Sequence, residues 1–269
     1  MSFLITGGAS QVGSVIARQL KEAGQKVIIA SPRLDGSYQP STTHSTPGEP
    51  IRGVYILLPP GYVDPSENIK AFVDAAVTHG VQRFVLLSGS AVAKEAQGFG
   101  ISTVWRYLDE RKLDYFALRP TWFIDNFYEL YGKDIRGSDE FLTVMPNAKM
   151  PLISVEDIAK LAVKVFLAEK NDRTEQRIIG PELVTYDQMV FGRKITHKTV
   201  APEQMTQHYI SLFGWPTEYA QFLVGAELAC DAGSEEQWWG KPENAIGEET
   251  VREWAVRFQS KLAPTPPSA

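Results

Sequence analysis

The chain opens with an apolar run that passes straight into a glycine-rich turn and then an amphipathic helix: Phe3-Leu-Ile-Thr-Gly-Gly-Ala-Ser-Gln-Val-Gly13, followed by SVIARQLKEAG. Few chain paths accommodate that order. A buried strand that turns on glycine into a helix needs a second parallel strand beside it, and Val27-Ile-Ile-Ala30, after a helix closing at Gly24, supplies one. Glycines let backbone approach closely, and the first-turn N–H groups of the helix favour negative charge. The turn therefore reads as a dinucleotide pyrophosphate site made of Gly7, Gly8, Ser10, Gln11, Val12 and Gly13. Ser10 stands where the usual motif has its middle glycine.

The end of the second strand selects the nucleotide. An acidic residue there would take the adenosine ribose 2′-hydroxyl of NAD, whereas a basic one accommodates the 2′-phosphate of NADP. The chain has Ser31-Pro-Arg33, with Asp35 beyond. A planar guanidinium binds phosphate bidentately, so Arg33 points to NADP(H).

Short apolar runs keep alternating with helical segments. Val54 to Leu58 reads as a third strand, and Asp64-Pro-Ser-Glu67 as a capping-box start for a helix running to Gly80. Phe84 to Leu87 is a fourth strand, a helix covers about 101–112, and Tyr115 to Leu118 is a fifth strand. The pattern predicts an α/β chain: a Rossmann-like parallel sheet with helices on both faces. Ligands of such sheets lie beyond the carboxyl ends of the strands. Those ends place Ser31, Leu58, Ser88 and Thr121 beside the glycine turn as further cofactor contacts.

One stretch interrupts the alternation. Residues 34–50, LDGSYQPSTTHSTPGEP, are dense in Pro, Gly, Ser and Thr and are expected to form an irregular loop in which His44 is exposed. After the fifth strand, Thr121-Trp-Phe-Ile-Asp-Asn-Phe-Tyr128 mixes large rings with Asp125 and Asn126, as an aromatic-ligand pocket does. Ser154-Val-Glu-Asp157 starts an amphipathic helix with apolar positions at 158, 161, 162, 165 and 166. Beyond Gly180-Pro181 come short helical or irregular pieces, then a helix over 248–261 and a frayed tail. Residues 1–150 thus hold the nucleotide-binding core, and 151–269 the rest of that core with a small, mostly helical C-terminal substrate lobe.

Composition excludes several classes. A chain of 269 residues, 43% hydrophobic and 22% charged, buries one large core, and a net charge of −5 gives no electrostatic reason to bind nucleic acid. No apolar run reaches the roughly 18 residues of a membrane span, and no signal peptide precedes the first strand, so no membrane partner and a cytoplasmic location are expected. The single cysteine, Cys230, precludes an internal disulfide or a cysteine-cluster metal site and reads as a small buried side chain.

Several blocks, TGGASQVG, RFVLLSGS, LRPTWFIDNF, PLISVEDIA, GPELVTYDQM and GRKITH, resemble the NmrA-like atypical short-chain dehydrogenases. Within that group they most resemble the fungal festuclavine and agroclavine dehydrogenases of ergot-alkaloid biosynthesis, over residue 1 to about 230. The resemblance implies a Rossmann-like fold, NADP(H), and reduction of a cyclic iminium in a prenylated indole alkaloid. It implies that Gly7, Gly8, Gly13, Arg33, Ser88 and Thr121 touch cofactor and that Trp122, Asn126 and Tyr128 face substrate. The chain departs from the group at Ser10, at the missing helix near 34–50, and in a shortened segment between Val190 and Phe191.

Ordinary short-chain dehydrogenases use Tyr-x-x-x-Lys, in which lysine eases proton exchange at the phenol. Here the nearest approach is Tyr107-Leu-Asp-Glu-Arg111, which makes Tyr107 one candidate proton donor. Without the dyad, the residues fit hydride addition to an already cationic C=N. They also fit an NADPH-retaining cyclase of Diels–Alder type, for which Trp105, Trp122, Phe123, Asp125 and Tyr128 would supply walls and an acid. A third possibility is a non-catalytic NADP sensor, against which the ring-rich block at 121–128 argues. On either enzymatic reading, Asp125 and Trp122 are the principal catalytic candidates.

Overall fold

The computed structural model describes residues 1–32, 38–40, 50–189 and 193–264, with no side-chain description for 31, 32 or 38–40. Arg33, His44 and the junction at 190–191 lie outside them. The described chain forms two compact units: Met1–Pro120 with Val155–Arg177, and Thr121–Ser154 with Ile178–Ala269. Neither is contiguous, and the 150/151 boundary expected from the sequence lies inside the second unit.

In the first unit, strand β1 (Ser2–Thr6) is buried throughout because its run SFLIT carries apolar side chains to both faces. Helix α1 (Gln11–Glu22) follows, burying Val12, Ile16 and Leu20 at four-residue spacing. Strand β2 (Lys26–Pro32) returns parallel to β1, with Phe3 opposite Val27 and Ile5 opposite Ile29. A short β3 (Tyr38–Pro40) pairs antiparallel with β2, so the stretch expected to be irregular contributes an edge strand. Strand β4 (Ile51–Ile56) flanks β1 on its other side.

Helix α2 (Ser66–Thr78) begins one residue later than the expected capping box, with Pro65 at the cap position. Asp64 still accepts from the Ser66 N–H at 3.0 Å. Glu67 is then one position too early to reach back, and it pairs with Lys70 instead. Strand β5 (Arg83–Leu87), helix α3 (Gly100–Glu110) and strand β6 (Asp114–Pro120) complete the alternation read from the sequence.

The second unit starts with α4 (Asn126–Glu129), α5 (Gly132–Ser138) and β7 (Glu140–Thr143). The chain next returns to the first unit as α6 (Val155–Leu167), which lies against α1, where Arg18 and Gln19 hydrogen-bond Glu156. Arg83 anchors the other end of α6. Its buried guanidinium donates to the carbonyls of Val165, Ala168 and Glu169 while Nε holds Asp114 at 2.8 Å. A helix C-terminus leaves carbonyls without intrahelical donors, and a single arginine serves Val165 and Phe166 of the last turn together with the carbonyls of Ala168 and Glu169 just beyond it.

Strand β8 (Glu175–Ile179) ends the first unit and leads back to the second. The large sheet is ordered β8-β6-β5-β4-β1-β2-β3, with β1, β2, β4, β5 and β6 parallel. The second unit continues through β9 (Thr196–Thr199), parallel to β7, then α7 (Pro202–Phe213) and α8 (Thr217–Asp231). Residues 202–231, expected to be short pieces, form two full helices. Phe213-Gly-Trp-Pro216 is the turn between them, where Gly214 takes a left-handed φ of 67° and Pro216 caps the next helix. A two-residue β10 (Ala245–Ile246) pairs with Ile178 and Ile179, and α9 (Val251–Phe258) opens on a capping box between Thr250 and Glu253.

Candidate functional site

In the first unit, the parallel strands bring their carboxyl ends to one edge, and β1 ends there in the glycine turn. The Thr6 hydroxyl donates to the Tyr55 carbonyl at 2.8 Å and accepts from the Leu57 N–H at 2.9 Å, stitching the ends of β1 and β4 together. Gly7, at φ 62°, donates its N–H to the Ala30 carbonyl and accepts from Ser10 N–H at 2.7 Å. Only glycine takes that φ without strain. Ser10 is the N-cap of α1, and its hydroxyl accepts from Gly13 N–H at 3.2 Å. The departure from the glycine motif is thus a capping residue, and helix geometry leaves the Val12 N–H without an intrahelical acceptor. A Cβ on Gly13 would collide with the Gly7 carbonyl oxygen and lie 2.9 Å from Ser10 Oγ. The turn and the helix start are therefore pressed together, as a phosphate cradle requires.

At the same edge, Leu58 follows β4, and Ser88 follows β5 with its N–H bound to the Leu118 carbonyl. The Ser88 hydroxyl is buried and finds no hydrogen-bond partner among the described residues. A buried hydroxyl left so costs free energy, which a ligand polar group would recover. Glycine turn, helix start and open serine hydroxyl fit a nicotinamide dinucleotide. Ser31 reaches this edge by its backbone in β2.

Trp105 and Tyr107 lie on α3, which crosses back antiparallel to the strands. Trp105 is 2% exposed in the apolar layer with Val104 and Leu108, and Arg119 stacks over its ring at 5.4 Å. Tyr107 stands in the last turns of α3, away from the strands' carboxyl edge, and donates its hydroxyl to Asp74 at 2.6 Å beside Arg111. That bond to a carboxylate pushes the phenol pKa up, opposite to what the family dyad does.

The second unit holds the ring-rich block. Thr121 donates its hydroxyl to the Pro151 carbonyl at 2.6 Å. Backbone bonds from Ile153 N–H to Trp122 and from Ile124 N–H to Ile153 hold Phe123 in a single parallel bridge with Ile153, from which a turn leads into α4. Trp122 packs on the unit's core, and Asp125 and Asn126 are buried at the start of α4. The Tyr128 ring packs on Phe258 at 5.3 Å and carries the Arg136 and Lys261 cations at 5.5 and 5.7 Å, which occupies its faces. Cys230 is buried and free, and burial pushes its thiol pKa up.

Beside Trp122 lies a polar cluster that sequence reading missed. Glu227, on α8, is fully buried, and its Oε1 accepts from the hydroxyls of Tyr131 (3.0 Å) and Tyr209. Tyr131 and Tyr186 share a hydrogen bond at 3.1 Å, and the buried Trp122 indole N–H has no hydrogen-bond partner among the described residues. Desolvation raises the Glu227 carboxyl to about 7, and the phenol donors only partly offset it. One signal was present in the sequence: Glu227 is the only charge in 219–230.

Fold and glycine turn define a Rossmann-like nucleotide-binding chain. No protein-family model matches it. Among solved structures, Escherichia coli quinone oxidoreductase QOR2 complexed with NADPH superposes with a TM-score of 0.69 at 14% identity, covering 96% of this chain and 99% of that one. Citrobacter sp. triphenylmethane reductase complexed with NADP(H) gives 0.64 at 16%, with coverages of 96% and 99%. Curated relatives are nearer in sequence. Festuclavine synthase II of Penicillium roqueforti is 31% identical over 261 residues, spanning 88% of this chain and 90% of its own. A festuclavine dehydrogenase of Aspergillus fumigatus is 32% identical over 265 residues, with spans of 87% and 89%. The chain belongs to the family of the festuclavine and agroclavine dehydrogenases.

Proposed function

We propose that this chain is an NADPH-dependent reductase acting on a cyclic iminium of a prenylated indole alkaloid. The observation that carries this reading is the match to clavine-forming dehydrogenases along about nine-tenths of their length. The first unit offers what the nucleotide needs. Gly7, Gly8 and Gly13 open the turn for the pyrophosphate, with Ser10, Gln11 and Val12 at the helix start. Ser31, Leu58 and Ser88 line the strand ends toward the rest of the cofactor, Thr121 directly follows β6, and Arg33 takes the 2′-phosphate. NADPH, when bound, supplies the hydride.

In the second unit, Trp122 presents an aromatic wall to a flat cation, and the Asp125 carboxylate compensates its positive charge. Phe123 and Asn126 complete the substrate contacts, and Tyr128, its ring faces taken by Phe258, Arg136 and Lys261, has only its hydroxyl end to offer. Hydride addition to a cationic C=N needs no proton on an alkoxide, so the reading does not require the Tyr107 phenol, which is held by Asp74. Trp105 likewise serves packing rather than catalysis.

The test is to mix the protein with NADPH and an indole-fused cyclic iminium while following nicotinamide absorbance and product together. Stoichiometric loss of absorbance is expected. Asp125→Asn and Trp122→Ala should lower turnover at least tenfold with NADPH binding kept, and Arg33→Ala should weaken NADPH far more than NADH. Product formed at constant absorbance would replace the reductase with a cyclase, and cofactor binding with no turnover would leave a sensor.

A further inference from the structure

The ladder between β5 and β6 stops at Pro120, and a side chain takes over from it. The Ser88 N–H donates to the Leu118 carbonyl at 2.8 Å, which carries the pairing of Leu86 with Ala117 and Leu87 with Leu118 one step further and sets Ser88 opposite Arg119. The next donor in a parallel ladder would be the N–H of residue 120, which proline lacks. Beyond that point the Ser90 N–H reaches the Pro120 carbonyl at 2.8 Å, and Arg119 Nη2 donates to the carbonyls of Ser90 at 3.0 Å and Val92 at 2.8 Å. Three consecutive residues of β6 thus hold the whole turn that follows β5.

The arginine is itself fixed. Its guanidinium lies 5.4 Å over the Trp105 ring, and Nη1 pairs with Glu175 at 3.1 Å. Arg177 adds a longer bond from its Nε to the Ser90 carbonyl, at 3.3 Å. Side chains alternate along a strand, so Ser88 and Arg119 share the sheet face of Leu86 and Ala117. Yet the Ser88 hydroxyl and the Arg119 Nε–H are both buried without a hydrogen-bond partner among the described residues. The guanidinium grips the backbone of the turn and leaves the hydroxyl free. The sheet order puts β5 across β1 from β2. With the pyrophosphate on the glycine turn and the adenosine end at β2, the free hydroxyl lies toward the nicotinamide half of the dinucleotide.

We propose that Arg119 is a positioning residue for the cofactor: by holding the carbonyls of Ser90 and Val92 it fixes the turn from Ser88 to Val92 and presents the Ser88 hydroxyl to the nicotinamide half of NADPH. This rests on Ser88 lining the cofactor site, as proposed above. A planar fork of donors suits the task, because one group must reach two carbonyls and a carboxylate at once. Arg106 provides the contrast. It donates to the carbonyls of Lys94 and Ala96, both at 2.7 Å, farther along the same loop.

Calorimetric titration of the full chain with NADPH, and separately with adenosine 2′,5′-bisphosphate, which carries only the adenosine end, tests this. Ser88→Ala should weaken NADPH about tenfold, the order of one hydrogen bond, and leave the bisphosphate unchanged. Arg119→Leu should do the same, and the double variant should bind NADPH no more weakly than the weaker single one, because the arginine acts through the serine. Arg106→Leu should bind both ligands as the parent does. Additive losses in the double variant, equal loss of both ligands in Arg119→Leu, or a matching NADPH loss in Arg106→Leu overturns the assignment. If Arg119→Leu does not fold, Arg119→Lys keeps the cation over Trp105 without the fork: a selective loss of NADPH supports the assignment, and parental affinity overturns it. Unchanged NADPH affinity in Ser88→Ala removes the serine contact and the proposal with it. No substrate enters the readout, so its failure is distinct from failure of the reductase reading.

Discussion

Glu227 makes the stability of this protein fall as pH rises through neutrality, against the trend set by most carboxylates. Its folded-state pKa is about 7, against 4.5 for an ordinary glutamate. Between those values the native state holds a proton that the unfolded chain has lost, so stability drops with rising pH. The contribution is complete below about pH 4.5 and gone above about pH 7. A gap of about 2.5 at ~1.4 kcal/mol per pH unit bounds the effect at ~3.5 kcal/mol, of which about 2 to 3 kcal/mol falls between pH 5 and 8.

Other shifted groups act outside that window or are cancelled by the comparison. Hydrogen bonds from Tyr107 and Lys94 hold Asp74 and Asp109 below the usual carboxylate range, so both are ionised throughout. The buried tyrosines move further above 10, and Glu129, raised by burial, contributes equally in parent and variant. Urea unfolding at pH 5 and 8 should therefore show the parent losing 2 to 3 kcal/mol more than Glu227→Gln over that interval. Equal losses in the two proteins would refute a buried, proton-binding Glu227.

Two further outcomes follow from packing geometry. Gly13→Ala should weaken NADPH at least tenfold by cofactor fluorescence titration, whereas Gly137→Ala, whose added methyl meets nothing within 4 Å, should leave affinity unchanged; matching affinities in both would remove the phosphate role of the turn. Arg83→Leu strands the carbonyls of Val165, Ala168 and Glu169 and should cost about 2–4 kcal/mol in urea, against about 1 kcal/mol or less for Asp114→Asn at its half-exposed partner.

The sheet was legible in the sequence because its strands are short apolar runs separated by amphipathic helices, and each such run appears as a strand with its ends shifted by no more than three residues. The glycine turn was legible because its signal is local. Ser10 shows how local reading falls short: it looked like a lost glycine, and it is the cap of α1. The Glu227 cluster was not legible because its members, Tyr131, Tyr186, Tyr209 and Glu227, come from four separate stretches, and only folding makes them neighbours. Arg83 was hidden for the same reason, since the carbonyls it serves lie more than eighty residues away. The late helices were underread because Gly214 and Pro216 punctuate the chain strongly while α7 and α8 carry no side-chain cap.

The return of α6 to the first unit has a consequence for synthesis on the ribosome. Its partner α1 is complete by residue 22, but Glu156, which Arg18 and Gln19 grip, emerges more than 130 residues later. Until then the α1 surface it will cover stays open, and the nascent nucleotide-binding unit cannot finish before the entire 121–154 segment has passed through the exit tunnel. Truncations ending at 120 should accordingly leave a sticky, incompletely folded unit that recruits chaperones, which the full chain should shed.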